Sequence, residues 1–130
     1  MVINFNPKYI PGDIVYNHKK EIIRITSSYL KGTKLFYYID GNCGWIREDA
    51  IKPIPLTPEI LEKNGWKNDG YDWYKLPTKR AYLYITKDII TLGEFLVCVG
   101  LDRHNLASIN FVHQLQHILF GLRLNSEMEV

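Results

Sequence analysis

Between residues 10 and 56 the sequence reverses every few residues, and this rhythm restricts the fold more than any other feature. Pro11-Gly12-Asp13 reads as a turn feeding Ile14-Val15-Tyr16, and Asn17-His18-Lys19-Lys20 as a second, charged turn. Glu21 to Thr26 and Leu35-Phe36-Tyr37-Tyr38-Ile39 follow, rich in the β-branched and aromatic residues that suit a pleated, half-buried surface. Asp40-Gly41-Asn42 is the next reversal, and Gly44 to Asp49 and Ala50 to Ile54 supply two more short strands. Side chains alternate along a strand, so Leu35, Tyr37 and Ile39 share one face and Phe36 and Tyr38 the other. Both faces are apolar or aromatic, and both are expected to touch something. Five short strands at this spacing predict a small closed or sandwiched sheet.

Pro11-Gly12-Asp13-Ile14-Val15 and the later Trp45-Ile46, followed by the acidic pair Glu48-Asp49, resemble the SH3-like barrel of KOW and Tudor modules. The resemblance covers about a third of the chain. Pro53-Ile54-Pro55-Leu56 then forms a stiff connector, because each proline fixes its own φ and biases its predecessor toward extended geometry.

Past this connector, Thr57 is an N-cap, Pro58 the first helical residue, Glu59 a partner for the positive first turn and Asn64-Gly65 the stop. Asn68-Asp69-Gly70 marks a hairpin between Trp66-Lys67 and Tyr71 to Leu76. Strands are expected near Ala81 to Ile85 and within Thr91 to Val99. Ser108 is placed as the cap of a last helix, Ile109 to Leu122, with Phe111, Val112, Leu115, Ile118, Leu119 and Leu122 in one apolar stripe. The tail, Asn125 to Val130, is read as a short edge strand. The expected fold is α+β: an SH3-like five-stranded β-barrel in residues 1–55 packed on a C-terminal α-β-β-β-α unit in residues 56–130.

Composition narrows the function classes. The net charge of +2 is too weak for a strong polyanion binder, although residues 1–56 hold eight Lys/Arg against five Asp/Glu. Cys43 and Cys98 are far apart and outside any CxxC pairing, so neither a disulfide framework nor a zinc ribbon is indicated. The N-terminus lacks the basic start and apolar stretch of a signal peptide, and no apolar run approaches the ~20 residues of a membrane span. A soluble, cytoplasmic protein with no membrane partner is expected. Nine tyrosines and three tryptophans are the unusual entry, and surplus Tyr and Trp are at home on binding surfaces as well as on strands.

Leu56-Thr57-Pro58-Glu59-Ile60-Leu61-Glu62-Lys63-Asn64-Gly65-Trp66 and Phe111-Val112-His113-Gln114-Leu115-Gln116-His117, with Ile118-Leu119-Phe120-Gly121-Leu122, resemble small proteins of phages and mobile elements in gut Bacteroidetes. The resemblance implies a phage or mobile-element origin and a cytoplasmic accessory role, and it carries no catalytic residue.

Candidate sites follow from residue type and spacing. His113 and His117 stand four apart on the last helix, as two ligands of one metal can. They fall opposite the apolar stripe, facing solvent or a contact, and Gln114 stands where a zinc hydrolase needs a Glu base. No metal and no cofactor is therefore expected. Phe120 lies at nearly the same angle as His113, as an interface residue or under the first half. Tyr16, Arg24, Tyr38, Trp45 and Arg47 form a candidate aromatic and basic surface for an extended peptide or for bases. Trp45 also suits a barrel core or rim. Phosphate-binding loops and serine nucleophile elbows are absent, and nothing local pairs Cys43 with a histidine. No catalytic residue is assigned. The expectation is a non-enzymatic accessory protein that binds a host or phage protein. The alternatives are nucleic-acid binding through the barrel, and a small nucleotide-like ligand held by aromatic stacking with Arg24, Arg47, Lys79 or Arg80.

Overall fold

The computed structural model describes residues 8–40, 44–68, 73–76, 82–87, 94–100 and 102–130 of the 130-residue chain. The expected reversals at Asp40-Gly41-Asn42 and Asn68-Asp69-Gly70 fall partly, and Cys43, Lys79 and Arg80 wholly, outside the described residues. The chain forms two compact units: Met1–Ile54 with Leu115–Glu127, and Pro55–Gln114 with Met128–Val130. Both are built on antiparallel sheets, so the protein is a small α+β fold.

The first unit carries a four-stranded sheet in the order β1 (Ile14–Tyr16), β2 (Ile22–Lys31), β3 (Lys34–Ile39), β4 (Trp45–Arg47), followed by a 3₁₀ turn at Glu48–Ala50. Where a full fifth strand was expected, the chain makes one bridge: Tyr16 and Lys52 exchange both backbone hydrogen bonds, at 2.8 and 2.9 Å. Inward residues follow the period of two. Val15, Ile25, Tyr37 and Ile39 form the core with Tyr9 and Ile51, and Ile23, Leu35 and Ile46 pack on its margin.

β2 continues five residues beyond the expected end at Thr26, and its register shifts on the way. Ile25 faces Ile39, but Ser27 faces Tyr38, so β2 advances two residues while β3 advances one. Such a bulge exchanges the two faces of the strand beyond it. Ile23 and Ile25 point to the core, whereas Tyr29, six and four residues further along in the same parity, is exposed opposite Phe36. Gly32, at φ 64°, closes the hairpin between Lys31 and Lys34.

A polar clasp ties Leu115–Glu127 to the Pro11-Gly12-Asp13 turn. Buried Gln116 accepts the Ile14 N–H on Oε1 at 2.9 Å, and its Nε2 donates to the carbonyls of Gly12 and Ser126 at 2.9 and 3.0 Å. Beside it, Oδ2 of buried Asp13 accepts the Ile10 N–H at 2.9 Å and lies 2.8 Å from Nε2 of His117. Gly12, at φ 95°, lets the turn bend back so that its own N–H reaches the Ile25 carbonyl at 2.8 Å.

In the second unit, α1 (Pro58–Lys63) has the expected ends: Thr57 Oγ1 accepts the Ile60 N–H at 3.2 Å, and Gly65 at φ 88° terminates it, with the Trp66 N–H returning to the Leu61 carbonyl. Among the described residues five strands follow rather than three, in sequence order: β5 (Lys67–Asn68), β6 (Trp73–Leu76), β7 (Leu83–Lys87), β8 (Phe95–Val99) and β9 (His104–Ile109). Leu83, Ile85, Val97 and Ile109 fill one buried face. Ser108 is therefore not a helix cap. It pairs with Leu96 inside β9, because Gly100 and Arg103 adopt positive φ and turn the chain back along β8. α2 (Val112–Gly121) begins later than expected, and Gln114 starts it by accepting the N–H groups of Asn110 and Phe111. The tail forms no strand either. Asn64 exchanges two 2.7 Å hydrogen bonds with the Glu129 backbone, satisfying those groups without a sheet edge.

Gln116→Leu keeps the side-chain volume but strands one buried N–H and removes the donor to two carbonyls, each orphaned buried group costing roughly 1–3 kcal/mol. Equilibrium urea denaturation should show a loss of about 3 kcal/mol, and a loss within about 0.5 kcal/mol, as for an ordinary surface change, would contradict the clasp.

Candidate functional site: an aromatic and cationic face on the first sheet

The bulge in β2 gives the outer face of β2, β3 and β4 its composition. Cross-strand register sets Ser27 against Tyr38 and Tyr38 against Trp45 in one row, and Tyr29 against Phe36 and Phe36 against Arg47 in the next. Lys31 and Lys34 close the face at the hairpin. The Trp45 ring meets Tyr38 at 3.3 Å between centroids and Tyr29 at 4.8 Å, both tilted. These three rings still keep 42%, 39% and 48% of their residue surface in solvent, so they are a surface cluster rather than core. Tyr29, Lys31, Phe36 and Trp45 line a hollow of about 280 Å³.

A second hollow, of about 510 Å³, includes Lys8, Lys34, Arg47, Glu48 and Asp49 in its walls. Its two carboxylates are already engaged. Asp49 Oδ2 pairs with Arg47 Nη2 at 2.9 Å, and Glu48 Oε2 accepts the Tyr37 hydroxyl and, at 3.4 Å, the Lys8 N–H. Tyr37 is completely buried, and its hydroxyl oxygen also accepts the Tyr9 N–H at 3.4 Å. Burial and this bond to Glu48 hold the Tyr37 phenol far above its ordinary range. Burial, then the charges of Glu48 and Asp13, push Tyr9 up to about 12.

The expected site residues separate on this framework. Tyr38 and Trp45 come together, and Arg47 lies two residues along β4 from Trp45. Tyr16 is half-buried in β1, and exposed Arg24 faces Ile14 in β2 before the bulge, so both lie on the β1 side of the sheet. His113 is not solvent-facing: it is buried and stacks on Phe111 at 5.9 Å. His117 makes the Asp13 contact rather than standing open beside it. The helix was expected to bury one stripe, but Val112, His113, Leu115, Gln116 and Leu119 are all buried, which draws polar positions inward. Phe120 is 67% exposed. Among the described residues no three His, Cys, Asp or Glu side chains converge as a metal site would require, and no helix is long and apolar enough to cross a membrane.

Tyr29, Lys31 and Phe36 were not foreseen as site residues. The Lys31-Gly32-Thr33-Lys34 turn was the available signal for a longer β2, but the bulge that turns Tyr29 outward leaves no mark in the residue pattern.

The second sheet has aromatic residues too, used differently. Arg103 lies 4.5 Å from the ring centroids of both Trp73 and Tyr84, and Lys75 lies 5.4 Å from that of Tyr82. There Trp73, Tyr82 and Tyr84 each lie beside a cation, an arrangement that stabilises the sheet, although Tyr82 stays 46% exposed. Cys98 beneath them is buried, which raises its thiol pKa although the Arg103 charge opposes the shift, so the neutral thiol dominates.

No family model matches this chain, and neither a curated protein nor a solved structure matches it.

Neutral Tyr9 and Tyr37 favour the folded state. Their contribution is complete below pH 10, the ordinary phenol value, and is lost as pH rises through the folded values, about 12 for Tyr9. In an alkaline titration followed by phenolate absorbance and circular dichroism together, the last phenolates should appear only as the fold is lost. Ionisation of every tyrosine in a single wave near pH 10 with the fold intact would contradict these environments.

Proposed function

We propose that this chain is a non-enzymatic accessory protein of a phage or mobile element that acts by binding a host or phage protein through the outer face of β2, β3 and β4. The observation that carries this reading is the open Tyr29–Tyr38–Trp45 cluster with its adjoining 280 Å³ hollow, which Lys31 lines, and with Arg47 two residues along β4 from Trp45. Aromatic residues and Arg around a pocket that can seat a partner side chain are the usual composition of energetically dominant interface positions. Trp45 already contacts two neighbouring rings, so the cluster offers ring edges and a hollow more than free ring faces. That suits an inserted protein side chain better than stacked bases, which need open faces.

The first unit is an SH3-like barrel in this reading, with its fifth strand reduced to the Tyr16–Lys52 bridge. Support comes from the β1-β2-β3-β4 order, the 3₁₀ turn after β4, and the return of Lys52 to Tyr16 that joins the end of the meander to β1. A barrel places the aromatic face outside a closed core, so partner contacts and folding contacts are made by different residues. The accessory role is what the likeness to phage and mobile-element proteins implies.

Affinity capture from a Bacteroidetes lysate tests the reading with three baits: wild type, Trp45→Ala and Phe120→Ala. A protein enriched by wild type should bind Trp45→Ala at least about 30-fold more weakly, the effect of an interface residue worth 2 kcal/mol or more, and bind Phe120→Ala as before. Capture insensitive to Trp45→Ala would contradict it. So would recovery of nucleic acid alone, released steeply by added salt.

A further inference from the structure

The two hollows adjoin the same short strand, and their chemistry differs. Trp45, at one end of β4, lines the aromatic hollow, and Arg47, at the other, lines the cationic one. Two residues of β-strand span about 7 Å, which is also two residues of an extended partner chain. Lys34, which faces Lys31 across the hairpin, lines the cationic hollow, so the lysine pair joins the two.

Charge on the cationic side is lopsided. Lys8, Lys34 and Arg47 contribute three positive charges against Glu48 and Asp49. Glu48 is held by the Tyr37 hydroxyl and the Lys8 N–H, and Asp49 by a single Nη2 of Arg47. A guanidinium has five N–H donors, so the Asp49 contact leaves Arg47 able to take a second carboxylate. Lys34 is exposed. With Lys31 on the aromatic side, four cations, Lys8, Lys31, Lys34 and Arg47, stand against the two carboxylates of Glu48 and Asp49.

We propose that the occupant of this face is an extended, acidic segment of a partner protein, with one large apolar side chain in the aromatic hollow and an Asp or Glu two residues away held by Lys34 and Arg47. The inference rests on the protein-docking reading above and adds the chemistry of the segment. The apolar anchor provides most of the affinity, and the carboxylate sets orientation and raises the rate of encounter. The acid thus selects among segments that all carry a suitable anchor.

A display library of random 12-residue peptides, selected in parallel on wild type, Lys34→Glu, Arg47→Glu and Trp45→Ala, tests this directly. Wild type should enrich peptides with an aromatic or large aliphatic residue and an Asp or Glu two positions from it. Lys34→Glu and Arg47→Glu should keep the anchor and lose the acid. A synthetic wild-type-selected peptide should bind each of them roughly tenfold more weakly, mainly through slower association at low salt. Trp45→Ala should enrich nothing in common with wild type. If the anchor is enriched without any acidic bias, or the bias survives both charge reversals, the acidic-segment proposal is overturned while protein docking stands. If no peptide is enriched by wild type, or a thymidine oligonucleotide alone binds this face, both are overturned.

Discussion

The extra residue at Thr26 in β2 is the constraint on which the external surface of the first unit depends. Without it, the parity that carries Ile23 and Ile25 inward would carry Ser27, Tyr29 and Lys31 inward as well. With it, Ile25 packs on Ile39 while Tyr29 stands outside beside Trp45. One strand thus feeds the core with its first half and an aromatic surface with its second. The hydrophobic content of the strand is divided between folding and display at a single point.

Beneath this division, polar groups at both margins of the core find partners within the chain. Tyr37 contributes its ring to the core and its hydroxyl to Glu48, which also fixes the start of the 3₁₀ turn after β4. Gln116 and Asp13 do the same for the turn before β1, replacing water at backbone groups that a short loop would otherwise leave open. One end of the sheet is thus held by a side-chain to side-chain bond and the other by side-chain to backbone bonds.

Much of this was legible in the sequence, and the remainder failed for identifiable reasons. The turn at Pro11-Gly12-Asp13, the strands β1, β3 and β4, and α1 with its Thr57 cap and Gly65 stop rest on local chemistry and appear where that chemistry puts them, whereas the expected fifth strand is reduced to one bridge. β9 was missed because its inward positions alternate weakly, and Ser108 ahead of an apolar run imitates a cap. Of the two alternatives for the histidines, solvent or a contact, the contact holds, but helix geometry alone cannot show that Gln116 and His117 meet a turn more than a hundred residues earlier in the chain. Tyr38, Trp45 and Arg47 could be named from residue type on expected strands, whereas Tyr29 required knowledge of a bulge that exists only through pairing.

The claim that this bulge-built face is where the protein recognises its partner is tested most directly by backbone and indole chemical-shift mapping during titration with a peptide selected on the wild-type protein. The account predicts the largest shifts at Tyr29, Lys31, Phe36, Tyr38, Arg47 and the Trp45 indole N–H. Shifts centred instead on Trp73, Lys75, Tyr82 and Tyr84 of the second sheet, with the Trp45 indole unmoved, would contradict it.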